Sequence, residues 1–204
     1  MQWNQHSSLR GMHALLGASK SHWLRYDDEK MRQYLISREA AAKGTRLHAL
    51  AHMLIQERQK LPDNKKTLNR YVNDGIGYLM RSEQLLFYSE YCFGTADTIS
   101  FREPNEEKGR PAYLRISDLK TGDGKVSIEQ LLIYAALFFL EYDKYLWELG
   151  IRPADVKTEL RIYQNDDVEL WRADPEDIIA IMDRIVSADK FIRARMEEAS
   201  AWMS

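Results

Sequence analysis

The chain has 204 residues, a formal net charge of −2 and a single cysteine; 45% of its residues are hydrophobic and 29% are charged. This length suits one domain with a sizeable core, and one cysteine excludes an internal disulfide and any cysteine-built metal cluster. The weak net charge disfavours a protein that simply coats nucleic acid, and the longest apolar run, residues 131–140, is too short to cross a bilayer.

The first 82 residues are predicted to be mainly helical. The spacing of leucine and methionine predicts a helix over residues 8–25. Residues 28–60 are rich in strong helix formers, which predicts one long helix or two in tandem. We expect Gly44 and Thr45 to break the second of these segments. A proline turn then precedes a third helix over residues 66–82.

Residues 85–172 are predicted to form a sheet with one central helix. Aromatic and β-branched residues indicate strands at residues 85–93 and 95–101. A polar loop separates these strands from a third one at residues 112–120. Because the connections are short, we expect the three strands to form an antiparallel meander.

The central helix, residues 127–149, is apolar nearly all round and is expected to be buried. Two further strands, residues 157–164 and 168–171, follow it. An aspartate cap, a proline and first-turn acids then begin a C-terminal helix over residues 174–200. This order of elements predicts an α/β fold in which helices flank a mixed sheet, built as one domain over residues 1–204.

The triplet Asp118-Leu119-Lys120 ends the third predicted strand, and a second acid, Asp97, lies on the strand before it. An Asp-x-Lys triplet alone means little, because about 0.7 are expected by chance in a chain of this length. Four more occur here, beginning at Asp28, Asp63, Asp123 and Asp155. Those four lie in helical, loop or turn sequence, so the triplet at Asp118 is the one whose context favours a site.

Two carboxylates and a lysine at the edge of a sheet suit the hydrolysis of a phosphodiester. Mg²⁺ or Mn²⁺ takes oxygen ligands and keeps several waters, so Asp97 and Asp118 with the Leu119 carbonyl would suffice to bind it. Lys120 leaves the strand on the same face as Asp118, so its ammonium would lie near the attacking water and the phosphate. The alternative is a surface ion pair between Asp118 and Lys120.

Polar residues four apart on two predicted helices complete the candidate site. Gln130 and Tyr134 share a helix face and would either support Lys120 and the DNA backbone or form a satisfied buried pair. His48 and His52 lack the glutamate that a zinc-protease helix carries between its histidines. One of them is either an additional metal ligand or a structural histidine.

Short motifs occur in order over residues 44–134: Gly44-x-x-x-His48, Glu90-x-x-x-Gly94-x-x-Asp97, Ile116-x-Asp118-x-Lys120-Thr121-Gly122 and Gln130-x-x-x-Tyr134. This set resembles the PD-(D/E)XK nuclease superfamily, and within it the RecB-like branch, which includes phage exonucleases. The resemblance implies a restriction-endonuclease-like core with a helical N-terminal region.

The resemblance also implies roles for particular residues. His48, Asp97 and Asp118 would bind a divalent metal together with the Leu119 carbonyl. Lys120 would be catalytic. Gln130 and Tyr134 would support the site and DNA binding, and Glu90 matches an acid that precedes the Gly-x-x-Asp segment.

The expected function is that of an Mg²⁺- or Mn²⁺-dependent DNA nuclease, most readily an exonuclease of phage, prophage or bacterial recombination, repair or processing. The alternatives are a structure-specific endonuclease and a non-catalytic module that binds DNA or protein. DNA is the expected partner, together with a single-strand-annealing or other recombination protein. The absence of a secretory signal predicts a cytoplasmic location, in the bacterial host if the protein is phage-encoded. Contact with DNA would come from local basic clusters: Lys60, Lys65, Lys66 and Arg70, or Lys108, Arg110 and Arg115. The alternative is that these clusters are only solvated faces.

Overall fold

A computed structural model describes Leu16, residues 21–122, Gly124 and residues 127–201. It is α/β, with a five-stranded mixed sheet flanked by helices. The helices are α1 (Asp28–Gln56), α2 (Thr67–Gly77), α3 (Glu129–Glu141), α4 (Asp143–Glu148) and α5 (Pro175–Ala201), and the strands are β1 (Arg81–Ser89), β2 (Cys92–Arg102), β3 (Ala112–Leu119), β4 (Val156–Gln164) and β5 (Asp167–Arg172). Packing divides the chain into two units, residues 1–43 and 44–204, and α1 runs through the boundary.

The first unit contains a short 3-10 helix, Ser21–Arg25, and the beginning of α1. Asp27 caps α1, since its Oδ1 accepts a hydrogen bond from the Lys30 backbone N–H at 2.8 Å. Lys30 Nζ also lies 5.0 Å from the centroid of the Tyr26 ring. Apart from Leu16 and residues 21–25, the predicted helix over residues 8–25 lies outside the described residues.

The predicted break at Gly44 and Thr45 is wrong, because α1 is continuous from Asp28 to Gln56. A single glycine costs a helix only about 1 kcal/mol, which packing readily offsets. A β-carbon at Gly44 would lie 2.6 Å from Thr121 Oγ1, so the glycine permits a close approach to the segment that follows β3.

The predicted helix over residues 66–82 ends early, at Gly77, and β1 begins at Arg81 rather than at residue 85. Leu79 adopts a positive φ of 54°, which stops the helix and turns the chain into the strand.

The five strands lie in chain order across the sheet. Strands β1, β2 and β3 form the predicted antiparallel meander, β3 and β4 are parallel, and β5 returns antiparallel to β4. The β1–β2 turn lies at Glu90 and Tyr91 instead of at Gly94, which is inside β2. Helices α3 and α4 provide the crossover that a parallel pair requires.

The core of the second unit lies on both sides of the sheet. On one side α3 packs on strands β1 to β4 and α5 packs against α3, through buried residues such as Ile116, Phe139 and Ile178. On the other side Leu119 and Tyr163 pack with residues of α2 and the C-terminal part of α1. The predicted central helix breaks at Tyr142, and α3 is its buried part. Among the described residues, no helix has the length and apolar character needed to cross a membrane.

Candidate active site

An irregularity in the β1–β2 hairpin shapes the candidate site. Pairing is regular at Ser82 with Thr98 and at Gln84 with Ala96, but it is interrupted between them, where Glu83 faces Asp97. Glu83 adopts a φ of 53°, a left-handed conformation that is uncommon for a residue with a side chain. Local backbone irregularity of this kind changes the direction in which side chains leave the strand, and it is frequent beside functional sites.

The same irregularity is visible in β2. Ala96 and Ile99 both pack into the core beneath α3, although strict alternation would place residues three apart on opposite sides of the sheet. Regular alternation of side chains along β2 is therefore lost between Ala96 and Ile99, the segment that contains Asp97.

Asp97 joins three elements of the fold. Its Oδ2 accepts a hydrogen bond from the Leu119 backbone N–H at 2.9 Å, in place of a backbone partner from the β2–β3 ladder. The same oxygen lies 3.4 Å from His48 Nδ1 on α1. The hydrogen bond between the His48 imidazole and the Asp97 carboxylate raises the pKa of His48 above its ordinary value, although burial opposes the shift.

Asp118 lies at the end of β3 and is 4% exposed. Burial raises the pKa of its carboxyl, and the nearby Asp97 charge adds to the effect, while Lys120 opposes it. Lys120 Nζ donates a hydrogen bond to Asp118 Oδ1 at 3.2 Å and lies 3.0 Å from Oδ2 as an ion pair. Oδ2 is nevertheless buried without a well-oriented hydrogen bond from any described residue.

A chain of hydrogen bonds fixes the Lys120 ammonium from the other side. Lys120 Nζ donates to Gln130 Oε1 at 3.1 Å, and Gln130 Nε2 donates to the Tyr134 hydroxyl at 3.1 Å. The Tyr134 ring packs against Gly94, where a β-carbon would lie 2.9 Å from Tyr134 Cε1. Gly94 thus leaves room for the ring of Tyr134, whose hydroxyl ends the series of hydrogen bonds from Lys120.

The arrangement includes Glu83, an acid that sequence reasoning missed. One donor atom each from His48, Glu83 and Asp97 lie within 4.8 Å of one another. Glu90, the acid that the motif spacing indicates, is exposed in the β1–β2 turn. Four residue pairs of the hairpin, from Gln84–Ala96 to Phe87–Phe93, separate this turn from Glu83 and Asp97. Glu83 could have been found from the sequence, because it is the residue opposite Asp97 once the hairpin turn is placed at Glu90 and Tyr91.

The residues present fit a divalent cation. Two carboxylates and one imidazole converge within 4.8 Å, and Asp118 is near enough for the Asp97 charge to raise the pKa of its carboxyl, whose Oδ2 is buried without a well-oriented hydrogen bond. A donor set dominated by oxygen suits hard cations such as Mg²⁺ or Mn²⁺. The compact donor group is His48, Glu83 and Asp97, with Asp118 adjacent to it.

The second histidine of α1 stands apart from this group. His52 lies one helical turn beyond His48, and its Nδ1 is buried without a hydrogen-bond partner in the described part of the chain. It is absent from the donor group formed by the described residues.

No protein-family model matches the chain, and neither a curated protein nor a solved structure shows significant similarity to it.

Proposed function

We propose that the chain is a divalent-metal-dependent DNA nuclease of the PD-(D/E)XK type. The observation that carries the proposal is the position of Asp97 beside the end of β3, where Asp118 and Lys120 lie. Leu119, the residue after Asp118, donates a hydrogen bond to Asp97, and Lys120 is bonded to Asp118. The meander β1–β3, the α3 crossover and the parallel β4 are consistent with the expected core.

The residues that would hold the cation are His48, Glu83, Asp97 and Asp118, with the Leu119 carbonyl. When bound, Mg²⁺ or Mn²⁺ supplies Lewis acidity toward the phosphate and the attacking water. Because Asp118 is buried, its charge acts in surroundings of low polarity, where binding of a cation is most favourable.

Lys120 is the proposed catalytic residue. Its ammonium is held between Asp118 and Gln130, so it points a fixed set of N–H donors at one region of the site. A pre-oriented cation can orient the attacking water and stabilise the negative charge that develops on the phosphate. Gln130 and Tyr134 position Lys120 through the hydrogen-bond chain.

We favour an exonuclease that acts in recombination, repair or DNA processing in the bacterial cytoplasm. A single-strand-annealing or similar recombination protein is the proposed partner. The intact set of Asp97, Asp118 and Lys120 favours an enzyme over a binding module, because binding alone does not require a fixed lysine between two acceptors. A structure-specific endonuclease would use the same site.

The test offers linear, nicked and covalently closed circular DNA to the wild-type protein and to Asp118→Asn, each with Mg²⁺ or Mn²⁺. We expect the wild type alone to degrade the linear DNA and to leave closed circles intact. Nicking of closed circles would select the endonuclease. Absence of wild-type hydrolysis of every substrate with both metals would overturn the proposal.

A further inference from the structure

A second region of unusual chemistry lies on the side of the sheet that faces α2. We call this region the ladder face and define it by Arg102, Tyr113, Arg115, Lys157, Arg161 and Arg172. Arg102 pairs with Tyr113, Tyr113 with Lys157, Arg115 with Glu159, and Glu159 with Arg172. Directly paired residues share a side of the sheet, so strands β2 to β5 all contribute to this face.

Arginines and tyrosines alternate across this face. The Arg115 guanidinium carbon lies 3.6 Å from the Tyr78 ring centroid and 5.0 Å from that of Tyr113. Arg161 lies 4.8 Å from Tyr78, and Arg102 lies 5.4 Å from Tyr113. The resulting ladder runs Arg161, Tyr78, Arg115, Tyr113, Arg102.

Glu159 fixes the middle of the ladder. It accepts hydrogen bonds from the Tyr113 hydroxyl at 2.7 Å, from Arg115 Nε at 2.5 Å and from Arg161 Nε at 2.8 Å. Arg161 is bonded in addition to Asp74 of α2 at 3.0 Å. The central arginines are consequently held in one conformation, and only the outer cations are free to adapt to a ligand.

Positive charge predominates on this face. It carries five cations against the carboxylates of Glu159 and Asp74, in a chain whose net charge is −2. The outer cations, Arg102, Lys157 and Arg172, are exposed. Charge is therefore segregated, with acids at the candidate active site and cations on the ladder face.

We propose that the ladder face binds the sugar–phosphate backbone of DNA at a distance from the cleavage site. The exposed cations Arg102, Lys157 and Arg172 offer their N–H groups to phosphate oxygens, while the largely buried central arginines hold the surrounding side chains in place, which lowers the entropy cost of binding. Backbone contacts of this kind are independent of sequence and fix the register of a substrate. The inference rests on the proposed nuclease function for the identity of the ligand.

The position of the face predicts that substrate length affects the affinity for DNA. Arg115 precedes Asp118 by three residues, about 10 Å along the same strand, and its side chain leaves the opposite side of the sheet. A long DNA bound at the site can reach around the end of the sheet to this face. A short oligonucleotide held at the site cannot, so the ladder face contributes affinity for long substrates only.

The test measures binding of a fluorescein-labelled duplex of about 40 base pairs, and of its single strand, between about 50 and 200 mM NaCl with EDTA. The variant Arg102→Ala/Lys157→Ala/Arg172→Ala is compared with Lys144→Ala/Arg184→Ala/Lys190→Ala, which removes three exposed cations from α4 and α5. Both variants change the net charge equally. The melting temperature of each confirms that the fold is retained.

Of the duplex and the single strand, the probe that the wild type binds more tightly is used for the comparison. We expect the ladder-face variant to bind it at least about tenfold more weakly than the control variant does. The slope of log affinity against log salt should fall by about 2 to 3, or about 0.7 to 0.9 for each lost phosphate contact. Equal affinity and slope in the two variants would overturn the inference, as would absence of binding by the wild type. Because metal is absent, this outcome is independent of cleavage: a wild type that binds through the ladder face but hydrolyses nothing would overturn only the proposed function.

Discussion

Glu83 and Asp97 face each other across the β1–β2 hairpin at the one position where the regular pairing between Arg81 and Phe87 is interrupted. Glu83 has a left-handed backbone there, and one donor atom each from Glu83, Asp97 and His48 lie within 4.8 Å of one another. Placing two acids together costs stability in the absence of a cation, since like charges repel. Regular pairing in the hairpin is thus lost at the position where these two acids meet.

Replacement of Glu83 by Gln should weaken Mn²⁺ binding by about 10- to 100-fold, because the donor group loses one of its charged oxygens. Titration calorimetry of the purified protein measures the change, and the rate of DNA cleavage at a fixed Mn²⁺ concentration should fall with it. Glu90→Gln is the matched control, since Glu90 is exposed in the hairpin turn. A larger effect of Glu90→Gln than of Glu83→Gln would contradict the assignment of Glu83.

Replacement of Lys120 by Ala should reduce DNA cleavage by about 10²- to 10³-fold, the usual cost of removing one pre-oriented donor to developing charge. Mn²⁺ affinity should not fall, because the substitution removes a positive neighbour of Asp118 and no ligand. Single-turnover cleavage and calorimetry together separate these effects. Lys144→Ala serves as the control for an exposed lysine, and wild-type cleavage by Lys120→Ala would remove the proposed role.

Replacement of Gly94 by Ala should destabilise the protein by about 1 to 3 kcal/mol, because the added β-carbon displaces the ring of Tyr134. The displaced ring would loosen the hydrogen bonds to Gln130 and Lys120, so cleavage should fall as well. Urea denaturation measures the first effect. The control is Gly77→Ala, where a β-carbon meets nothing within 4 Å; equal stability of the two variants would argue against the packing role of Gly94.

The stability of the ladder face should depend on pH through Glu159. Burial alone would raise the pKa of this carboxyl, but hydrogen bonds from Arg115 and Tyr113 outweigh burial and lower the pKa. A lowered pKa in the folded state stabilises the protein above the unfolded pKa of about 4, and this contribution is lost as the pH falls through the folded value.

Glu159→Gln should therefore cost about 3 kcal/mol at neutral pH, since two largely buried arginines lose a charged partner. The difference from wild type should shrink as the pH falls below about 4, and urea denaturation at several pH values checks this. Glu148→Gln, at an exposed position of α4, is the control. A difference that is constant with pH would contradict the role assigned to the Glu159 charge.

Much of the fold could be predicted because local patterns and tertiary packing agree. The aspartate cap and proline of α5, the apolar run of β3 and the helical composition of α1 each indicate one structure. The juxtaposition of Asp97 with the end of β3 was accessible for the same reason, since consecutive strands with short connections become neighbours.

The remaining features depend on contacts between distant residues. The sequence pattern predicts a strand end at Gly94 and a helix break at Gly44, whereas in the structure both glycines make room for side chains from other parts of the chain, Tyr134 and Thr121. Glu83 lies between the predicted end of the helix at residue 82 and the predicted start of the strand at residue 85, whereas the structure places it inside β1. Arg115 was grouped with Lys108 and Arg110 by proximity in the chain, but its partners lie on other elements across the sheet.

The central claim is that Asp97 and Asp118 share one cation with Lys120 beside it. Anomalous diffraction from crystals soaked in Mn²⁺ tests it most directly. We expect an anomalous peak within about 2.0 to 2.6 Å of a carboxylate oxygen of each aspartate. A peak bound elsewhere, or to one aspartate with the other turned away, would contradict the account.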